Sequence, residues 1–408
     1  MTLDVVDTLR ELVAIPSVNP MGGPDSGPEF GEARVTAYLE SLFERLGIPC
    51  QRHQVYPQRE NLLARLDGAV PPEGGGELIL LGAHQDTVPV TGMAIDPWTP
   101  HVRDGRLFGR GACDVKGGMA AMLAAVARLA EERPAGMPTV VMACTVNEEY
   151  GFSGANSLAG LLDGQPGGII PRKPDAAVIA EPTGLDVVVA HKGVLRWRCH
   201  ARGRAGHSAQ PEAGDNAIYK MARALRAVER YQWEIVGTLG SHALCGAATM
   251  SVGTIRGGVS VNTIPSRCTI EIDRRLPPGE DPEAAYQHLV DHLARGSGLD
   301  FPLEHDPPYM QGLPLSDEHN GRLAEVLGEI VAEVRGDCRR IGVPYGTDAA
   351  FISAAGIPTV VFGPGFLAQA HTDDEWLPLD QLEQAAEILY RFCRKGVCRA
   401  PTEGWSRP

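Results

Sequence analysis

Apolar runs and Gly-rich turns alternate along the first half of the chain. Four-residue apolar runs at 78–81, 140–143 and 176–179 each precede a turn that carries a histidine or a glutamate. Apolar runs of this length between turns indicate buried strands. Helical patterns lie between them, including an Ala-, Met- and Leu-rich stretch at about 118–131. Strands that alternate with helices predict an α/β layer fold, in which ligands bind beyond the carboxyl ends of strands.

The middle of the chain has a different order of elements. The patterns predict, in sequence, a strand at 195–201, a helix at 215–230, strands at 249–255 and 268–274, a helix at 282–294 and a short strand near Leu303. The second of the paired strands alternates apolar and polar residues, as a half-buried strand does. The order β-α-β-β-α-β is that of a ferredoxin-like α+β unit. One face of its antiparallel sheet is available to solvent or to a partner.

The α/β pattern resumes after this segment. A helix is predicted at 318–334, a strand at 358–362 and a final helix at 379–395. We therefore expect a small domain at 192–307, inserted into a larger one whose two parts are 1–191 and 308–408. A chain of 408 residues is long enough for this organisation, since single cores rarely grow past about 250–300 residues.

Composition and charge exclude some classes of partner. The net charge of −14 argues against nucleic acid or anionic lipid. The N-terminal segment lacks the basic and apolar regions of a secretory signal, and no run approaches the roughly 18 apolar residues of a membrane span. Nine scattered cysteines without a C-x-x-C pair suit reduced thiols. We expect a cytoplasmic protein with neither a nucleic-acid nor a membrane partner.

Residues that bind metals or move protons follow the predicted strands. A carboxylate such as Asp86 can orient a metal-binding histidine such as His84, although this spacing is common by chance. Asp114 lies in a Gly-rich turn that opens a helix, where it is either a ligand or a helix cap. The pair Glu148–Glu149 suits a cleft in which a cation neutralises one carboxylate and the other accepts a proton. Surface Glu pairs are also abundant.

Two further candidates, Glu181 and His371, follow other predicted strands. Two histidines and three carboxylates suffice for two zinc ions with one carboxylate bridging, and these candidates together with the earlier ones supply at least that many. Oxygen-rich sites also accept manganese or cobalt. The sequence therefore predicts a pair of divalent metal ions as the cofactor, with zinc as the first choice.

The chain resembles a known family from about Leu12 to its C-terminus. This family comprises metallopeptidases and deacylases, among them acetylornithine deacetylase, succinyl-diaminopimelate desuccinylase, aminoacylase and glutamate carboxypeptidase. The matching blocks, in order, are G-A-H-Q-D-T-V-P, F-G-R-G-A-C-D-V-K-G-G-M, T-V-N-E-E, A-E-P-T, H-K-G, A-G-H-S-A-Q-P, V-N-T-I-P and G-P-G-F-L-A-Q-A-H-T-D-D-E. The resemblance implies a zinc-exopeptidase-like catalytic domain, a mixed sheet flanked by helices, with an inserted ferredoxin-like domain that serves as lid and dimerisation surface.

The same resemblance implies roles for individual residues. It implies two metal sites that share Asp114, the first of His84, Asp114 and Glu181 and the second of Asp114, Glu149 and His371. It also implies that Asp86 orients His84 and that Glu148 is the general base.

Further roles are implied for the inserted domain and the C-terminal part. His207 matches a histidine that reaches an active site, usually that of the partner subunit, and stabilises the oxyanion. Asn262 assists it, or is simply a turn asparagine. Arg275 binds a substrate carboxylate or forms a salt bridge within its domain. Apart from the resemblance, Thr347 precedes a predicted helix whose N-terminal amides can hold an anion, so we expect it either to contact substrate or to cap that helix. Because the family dimerises through the inserted domain, we expect a homodimer.

These residues predict a metal-dependent hydrolase of amino-acid metabolism. The resemblance implies that the small-molecule substrate is an N-acyl amino acid, whose amide we expect a metal-activated water to attack. The G-P-G-x-x-x-Q-A-H and P-Y-G-T-D segments look most like those of acetylornithine deacetylase, which favours deacylation. A dipeptidase or carboxypeptidase remains an alternative, because the same water attacks a peptide bond. A non-catalytic scaffold is disfavoured by the intact metal and base positions.

Overall fold

A computed structural model describes residues 2–23, 27–164 and 168–398 of the chain. These residues belong to two compact units. The larger unit falls within Met1–Val189, Asp317–Ile341 and Thr347–Pro408, and the smaller unit comprises Ala190–Ser316 and Gly342–Gly346.

Helices and strands alternate over most of the described residues. The α-helices are α1 (Val5–Val13), α2 (Ala33–Leu46), α3 (Gly117–Glu132), α4 (Ser153–Ala159), α5 (Ala217–Tyr231), α6 (Gly237–Leu239), α7 (Pro282–Asp291), α8 (Gly321–Arg335), α9 (Ala349–Ala354) and α10 (Leu379–Lys395). Single helical turns lie at Pro72–Gly74, Ala112–Lys116, Pro211–Ala213, Gln232–Val236 and His292–Gly296.

The strands of the larger unit's sheets come before and after those of the smaller unit. In chain order the strands are β1 (Cys50–Tyr56), β2 (Arg59–Leu66), β3 (Leu78–His84), β4 (His101–Arg103), β5 (Arg106–Phe108), β6 (Thr139–Thr145), β7 (Ala176–Ile179), β8 (Val187–His191), β9 (Gly193–Arg202), β10 (Gly206–His207), β11 (Ser241–His242), β12 (Gly246–Ala247), β13 (Thr249–Gly257), β14 (Thr263–Ile264), β15 (Arg267–Leu276), β16 (Leu303–His305), β17 (Met310–Gly312), β18 (Arg340–Val343), β19 (Thr359–Val361) and β20 (Trp376–Pro378).

A mixed sheet forms the centre of the larger unit. Its order is β1-β2-β6-β3-β7-β19-β8-β18, and the four strands β6, β3, β7 and β19 run parallel to their neighbours in that group. All seven residues of β3 and of β6 are buried, so both faces of the sheet are covered there. This confirms the α/β class predicted from the uninterrupted apolar runs.

Helices α1, α3 and α10 pack against one another beside this sheet. Helix α3 is rich in alanine, which lets the neighbouring helix α10 approach closely, and its Met119, Met122 and Leu123 are fully buried in the core. Helix α8 begins at Gly321, three residues later than predicted. The reason is that Asn320 donates through Nδ2 to the carbonyls of Val189 (2.8 Å) and Thr359 (2.9 Å), which holds it against the sheet.

The smaller unit contains an antiparallel sheet of order β13-β15-β9-β16. Cys268, Ile270 and Ile272 alternate inward along β15 and pack in a core with Trp197 and Tyr231. With α5 between β9 and β13 and α7 between β15 and β16, the chain order is the predicted β-α-β-β-α-β. The central position of β9 and β15 is that of the ferredoxin-like arrangement, so the predicted class of this unit is confirmed.

Two further features bear on the setting of the protein. In the part of the chain that the structure describes, no helix combines the length and apolar character needed to cross a bilayer. All nine cysteines lie among the described residues, and none forms a disulfide.

Candidate metal centre

Four parallel strands deliver polar side chains to one edge of the large sheet. Strand β3 ends at His84, β6 leads into Glu148 and Glu149, and β7 leads into Glu181. The loop after β19 carries His371. Because the carboxyl ends of parallel strands meet at the same edge, residues separated by almost 300 positions converge there.

The converging residues form two groups of metal-ligand type that share one carboxylate. One ligand atom from each of His84, Asp114 and Glu181 lies within 4.8 Å of the others, and the same holds for Asp114, Glu149 and His371. Asp114 Oδ1 lies 3.0 Å from His84 Nε2, while Asp114 Oδ2 lies 3.2 Å from His371 Nε2. The two oxygens of Asp114 therefore face the two imidazoles, as expected of a bridging ligand.

Asp86 organises this edge mainly through its carboxylate. His84 Nδ1 lies 2.9 Å from the backbone carbonyl oxygen of Asp86, and 3.7 Å from the nearer carboxylate oxygen. The carboxylate instead accepts the backbone N–H groups of Glu148 and Glu149, both at 3.1 Å, and the Nδ2 of Asn19 at 2.7 Å. The carbonyl of Asp86 thus holds the histidine ring, and its side chain holds the Glu148–Glu149 turn.

Asn147 turns the chain so that these two amides point at Asp86. It has a positive φ of 61°, which asparagine tolerates better than most residues. Its Nδ2 donates to the carbonyl of Tyr150 (2.7 Å) and to Ser153 Oγ (2.8 Å), and its own N–H donates to Glu32 Oε1 (3.1 Å). Glu32 in turn is fully buried against Arg59. This hydrogen-bond network therefore fixes the conformation of the turn that carries Glu148 and Glu149.

Burial and mutual repulsion perturb the carboxyl groups of the centre. Burial, with the charge of Asp114 adding to it, raises the pKa of Glu149 to about 7. Burial and a neighbouring carboxylate raise the pKa of Glu148 and of Glu181 well above the usual range. Burial also opposes ionisation of Asp114, but its hydrogen bonds to His371 and His84 outweigh this and lower its pKa.

The two imidazoles respond in the opposite direction. Burial lowers the pKa of His371, but hydrogen bonds to Asp114 and Glu149 outweigh it and raise that pKa to about 11. The pKa of His84 is raised for the same kind of reason. The protein groups alone thus carry an excess of negative charge that attracts positive charge to this edge.

A divalent cation fits this donor set. Glu149 Oε1 is buried without a hydrogen-bond partner among the described residues, although burying an unpaired carboxylate oxygen is costly. Histidine nitrogens and carboxylate oxygens are ligands that zinc accepts. The residues that the structure brings together are the five that the sequence predicted as ligands.

Several contributors to the centre were missed by sequence analysis. Besides Asn19, they include a buried Arg110–Glu375 pair beside Asp114 and a buried Asp348. Asp348 accepts from Thr145 Oγ1 at 2.6 Å, and burial raises its pKa to about 6. For Arg110 and Asp348 the available signal was a charged residue inside a Gly-rich or apolar block, where a solvated charge is unexpected, whereas Glu375 follows two other acidic residues and gave no such signal.

The remaining predicted site residues have local partners. In the smaller unit, exposed His207 accepts the N–H of Ala209 through Nδ1 (3.1 Å), and its strand β10 pairs with β14, beside Asn262. Arg275 forms an ion pair with Asp273 at 2.7 Å, which is the salt bridge left open as its alternative role. In the larger unit, Thr347 is buried and its Oγ1 accepts the N–H of Ala349 (3.1 Å) at the start of α9, the alternative capping role.

Comparisons with known proteins agree with this geometry. The model of peptidase family M20/M25/M40 matches residues 80–395. Acetylornithine deacetylase of Vibrio campbellii is 30% identical over 387 residues, covering 94% of this chain and 96% of that protein.

Solved structures share the fold at lower identity. The di-peptidase Dug1p of Saccharomyces cerevisiae has a TM-score of 0.77 at 13% identity and covers 96% of this chain and 95% of its own. The YXEP protein of Bacillus subtilis, a dinuclear metal binding peptidase, has a TM-score of 0.66 at 17% identity and covers 96% and 97%.

Proposed function

This chain belongs to peptidase family M20/M25/M40, and from that premise we propose that it removes the acyl group from an N-acyl amino acid, N-acetyl amino acids being the first candidates. The chain is a metal-dependent hydrolase of linear amides. The observation that carries the proposal is the pair of ligand groups sharing Asp114, with Glu148 beside them, in a chain similar to an acetylornithine deacetylase over 94% of its length.

Two divalent ions, zinc first, are proposed for these ligand groups. His84, Asp114 and Glu181 would hold one, and Asp114, Glu149 and His371 would hold the other. When bound, such ions lower the pKa of water and polarise a carbonyl group. The buried, mainly carboxylate environment favours a doubly charged cation over a singly charged one, since it relieves more of the repulsion among the acidic groups.

The chain's own residues would move the protons. Glu148 accepts the proton of the attacking water and returns it to the leaving amine. Its backbone N–H is fixed by Asp86, which places its side chain next to the ligands and not among them. His207, assisted by Asn262, donates to the oxyanion that develops on the carbonyl; a well-placed donor of this kind contributes roughly 3–4 kcal/mol to the transition state. Arg275 and Thr347 are proposed to contact substrate.

The test is amine release from a panel of substrates. N-acetyl, N-succinyl and N-formyl amino acids are supplied beside dipeptides, each with zinc or cobalt and with a chelator control. Chelator-sensitive release from the acylated amino acids is expected, and it would identify the acyl group and side chain together. Hydrolysis of the dipeptides alone would replace the deacylase by a peptidase, and no hydrolysis with both ions bound would favour a scaffold role.

We also propose that the protein is a cytoplasmic homodimer. The smaller unit has a nine-residue edge strand, β13, whose Ile255 is 53% exposed, and the loop beyond it exposes Val259 (90%) and Val261 (100%). An exposed edge strand with exposed apolar side chains on it and beside it is a template for pairing with a second copy. Light scattering after gel filtration should give the dimer mass, and Val261→Asp with Ile255→Asp should lower it. The lack of disulfides among the described cysteines supports a reducing compartment.

A further inference from the structure

An ion pair that the proposed reaction does not use lies next to the metal centre, against the backbone of Asp114. Arg110 NH1 lies 2.6 Å from Glu375 Oε2, and the two side chains are 3% and 0% exposed. Removing both charges from water is costly, and such a pair persists only where further hydrogen bonds satisfy the remaining donors and acceptors. The groups that hydrogen-bond to Arg110 and Glu375 therefore indicate the role of the pair.

Glu375 accepts from the backbone of the loop that ends in Asp114. The N–H groups of Cys113 and Asp114 donate to Oε1 at 2.9 and 3.0 Å, and the N–H of Gly111 donates to Oε2 at 3.1 Å. Gly111 has a φ of +81°, a conformation that glycine adopts without strain, so the loop can turn all three amides toward one carboxylate. The backbone at the bridging ligand is thereby fixed to Glu375.

Arg110 reaches two other loops with the same guanidinium group. Its NH2 lies 3.2 Å from the carbonyl oxygen of Thr372, which follows His371 directly, and 3.3 Å from that of Pro89. Pro89 lies in the loop that continues from His84. The backbone carbonyl of Glu375 also accepts the N–H of Gly109 at 3.0 Å. One ion pair thus joins the loop that follows His84 to the loops that carry Asp114 and His371.

We propose that Arg110 and Glu375 are positioning residues, which set the placement of Asp114 relative to His371 and thereby the affinity of the centre for its ions. Neither side chain is among the proposed ligands, and both act through the backbone. The inference rests on the metal centre of the proposed function. If the pair were purely structural, its removal would lower the stability of the whole protein but leave the metal affinity of the folded molecules unchanged.

The decisive variant is Glu375→Gln, with Glu280→Gln as its matched control. Glu280 forms a second buried pair, with Arg274, in the smaller unit, so its loss also unpairs a buried arginine without touching the metal-ligand loops. Zinc affinity is measured on the full chain by competition with a chromophoric chelator, without substrate. The absorption spectrum of the cobalt-substituted protein reports the coordination geometry.

Glu375→Gln is expected to raise at least one of the two zinc dissociation constants by roughly 10- to 100-fold, which is the usual effect of removing a group that orients ligands. The cobalt spectrum of Glu375→Gln should also change, while Glu280→Gln should keep the zinc affinity and the cobalt spectrum of the parent protein. Zinc constants and a cobalt spectrum like those of the parent protein in folded Glu375→Gln would overturn the proposal.

Two variants of Arg110 cover the case in which Glu375→Gln does not fold. Arg110→Met leaves Glu375 on its three backbone donors but releases Thr372 and Pro89. Arg110→Lys keeps the charge and loses the fork that reaches several acceptors. Weaker zinc binding in Arg110→Met, partly restored in Arg110→Lys, is expected, and parental affinity in both would refute the positioning role. A parent protein that binds two zinc ions yet hydrolyses no acylated amino acid would contradict the proposed function alone.

Discussion

The carboxylate of Asp86 accepts the backbone N–H of Glu148 at 3.1 Å, so a residue just beyond strand β3 fixes the proposed base in the turn that follows the neighbouring strand β6. The same carboxylate accepts from Glu149 and Asn19. One buried acidic group therefore couples a ligand, the base and the N-terminal segment. We therefore expect that replacement of Asp86 lowers the rate of catalysis more than it lowers the stability of the sheet.

Asp86→Asn should lower kcat by roughly 10- to 100-fold. The amide keeps the size of the side chain but turns one acceptor into a donor that faces backbone N–H groups, so the turn carrying Glu148 shifts. Steady-state kinetics with the preferred substrate measures the effect, and Asp104→Asn on the exposed surface is the control. A kcat equal to that of the control would remove Asp86 from the organisation of the site.

Glu148→Gln should retain both metal ions and lose turnover by roughly 100- to 10,000-fold, because an amide cannot shuttle the proton. Metal content by atomic emission and kcat are measured on the same preparation. Glu383→Gln, on the exposed side of the last helix, should behave like the parent protein. Substantial turnover in Glu148→Gln would require another base.

Single ligand replacements should separate the two metal sites. His84→Ala and His371→Ala are each expected to lower zinc from about two to about one per chain, since each histidine belongs to one group. Asp114→Asn should weaken both, because its two oxygens face both groups. Metal analysis after gel filtration in buffer freed of metal ions gives the number of zinc ions per chain. Equal losses of zinc in all three variants would argue against a shared carboxylate.

A buried histidine away from the metal ligands makes stability depend on pH. Burial, only partly opposed by backbone hydrogen bonds, lowers the pKa of His191 from 6.5 to about 4. The unfolded chain then binds the proton first, so stability is lost as the pH falls from about 6.5 toward 4. This amounts to about 2 kcal/mol at pH 5 relative to neutral pH.

Urea unfolding of the metal-free protein at pH 7.5 and pH 5 measures this dependence. His191→Asn should show a smaller loss between the two conditions than the parent protein, by up to that amount. His319→Asn, at an exposed position, should parallel the parent. An identical loss in His191→Asn and the parent would assign the acid sensitivity to other groups.

Much of the larger unit was predictable because its signals are local. The buried strands β3, β6 and β7 each have a histidine or glutamate at their carboxyl end or in the turn that follows, and a parallel sheet gathers such residues at one edge. The alternation along β15 likewise predicted a half-buried antiparallel strand in the smaller unit. Ligand chemistry, the order of the main elements along the chain and the fold class therefore followed from residue types and their spacing.

The sequence by itself determined which residues could bind metal and on which elements they lie. Tertiary structure alone decided their supports, since Arg110 and Glu375 lie 265 residues apart and Asn19 meets Asp86 across 67. It also gave Arg275 an ion pair with Asp273 and Thr347 a hydrogen bond to the start of α9, and the sequence alone did not show either contact. A side chain's type fixes what it can bind, but desolvation and the geometry of distant loops decide what it does bind.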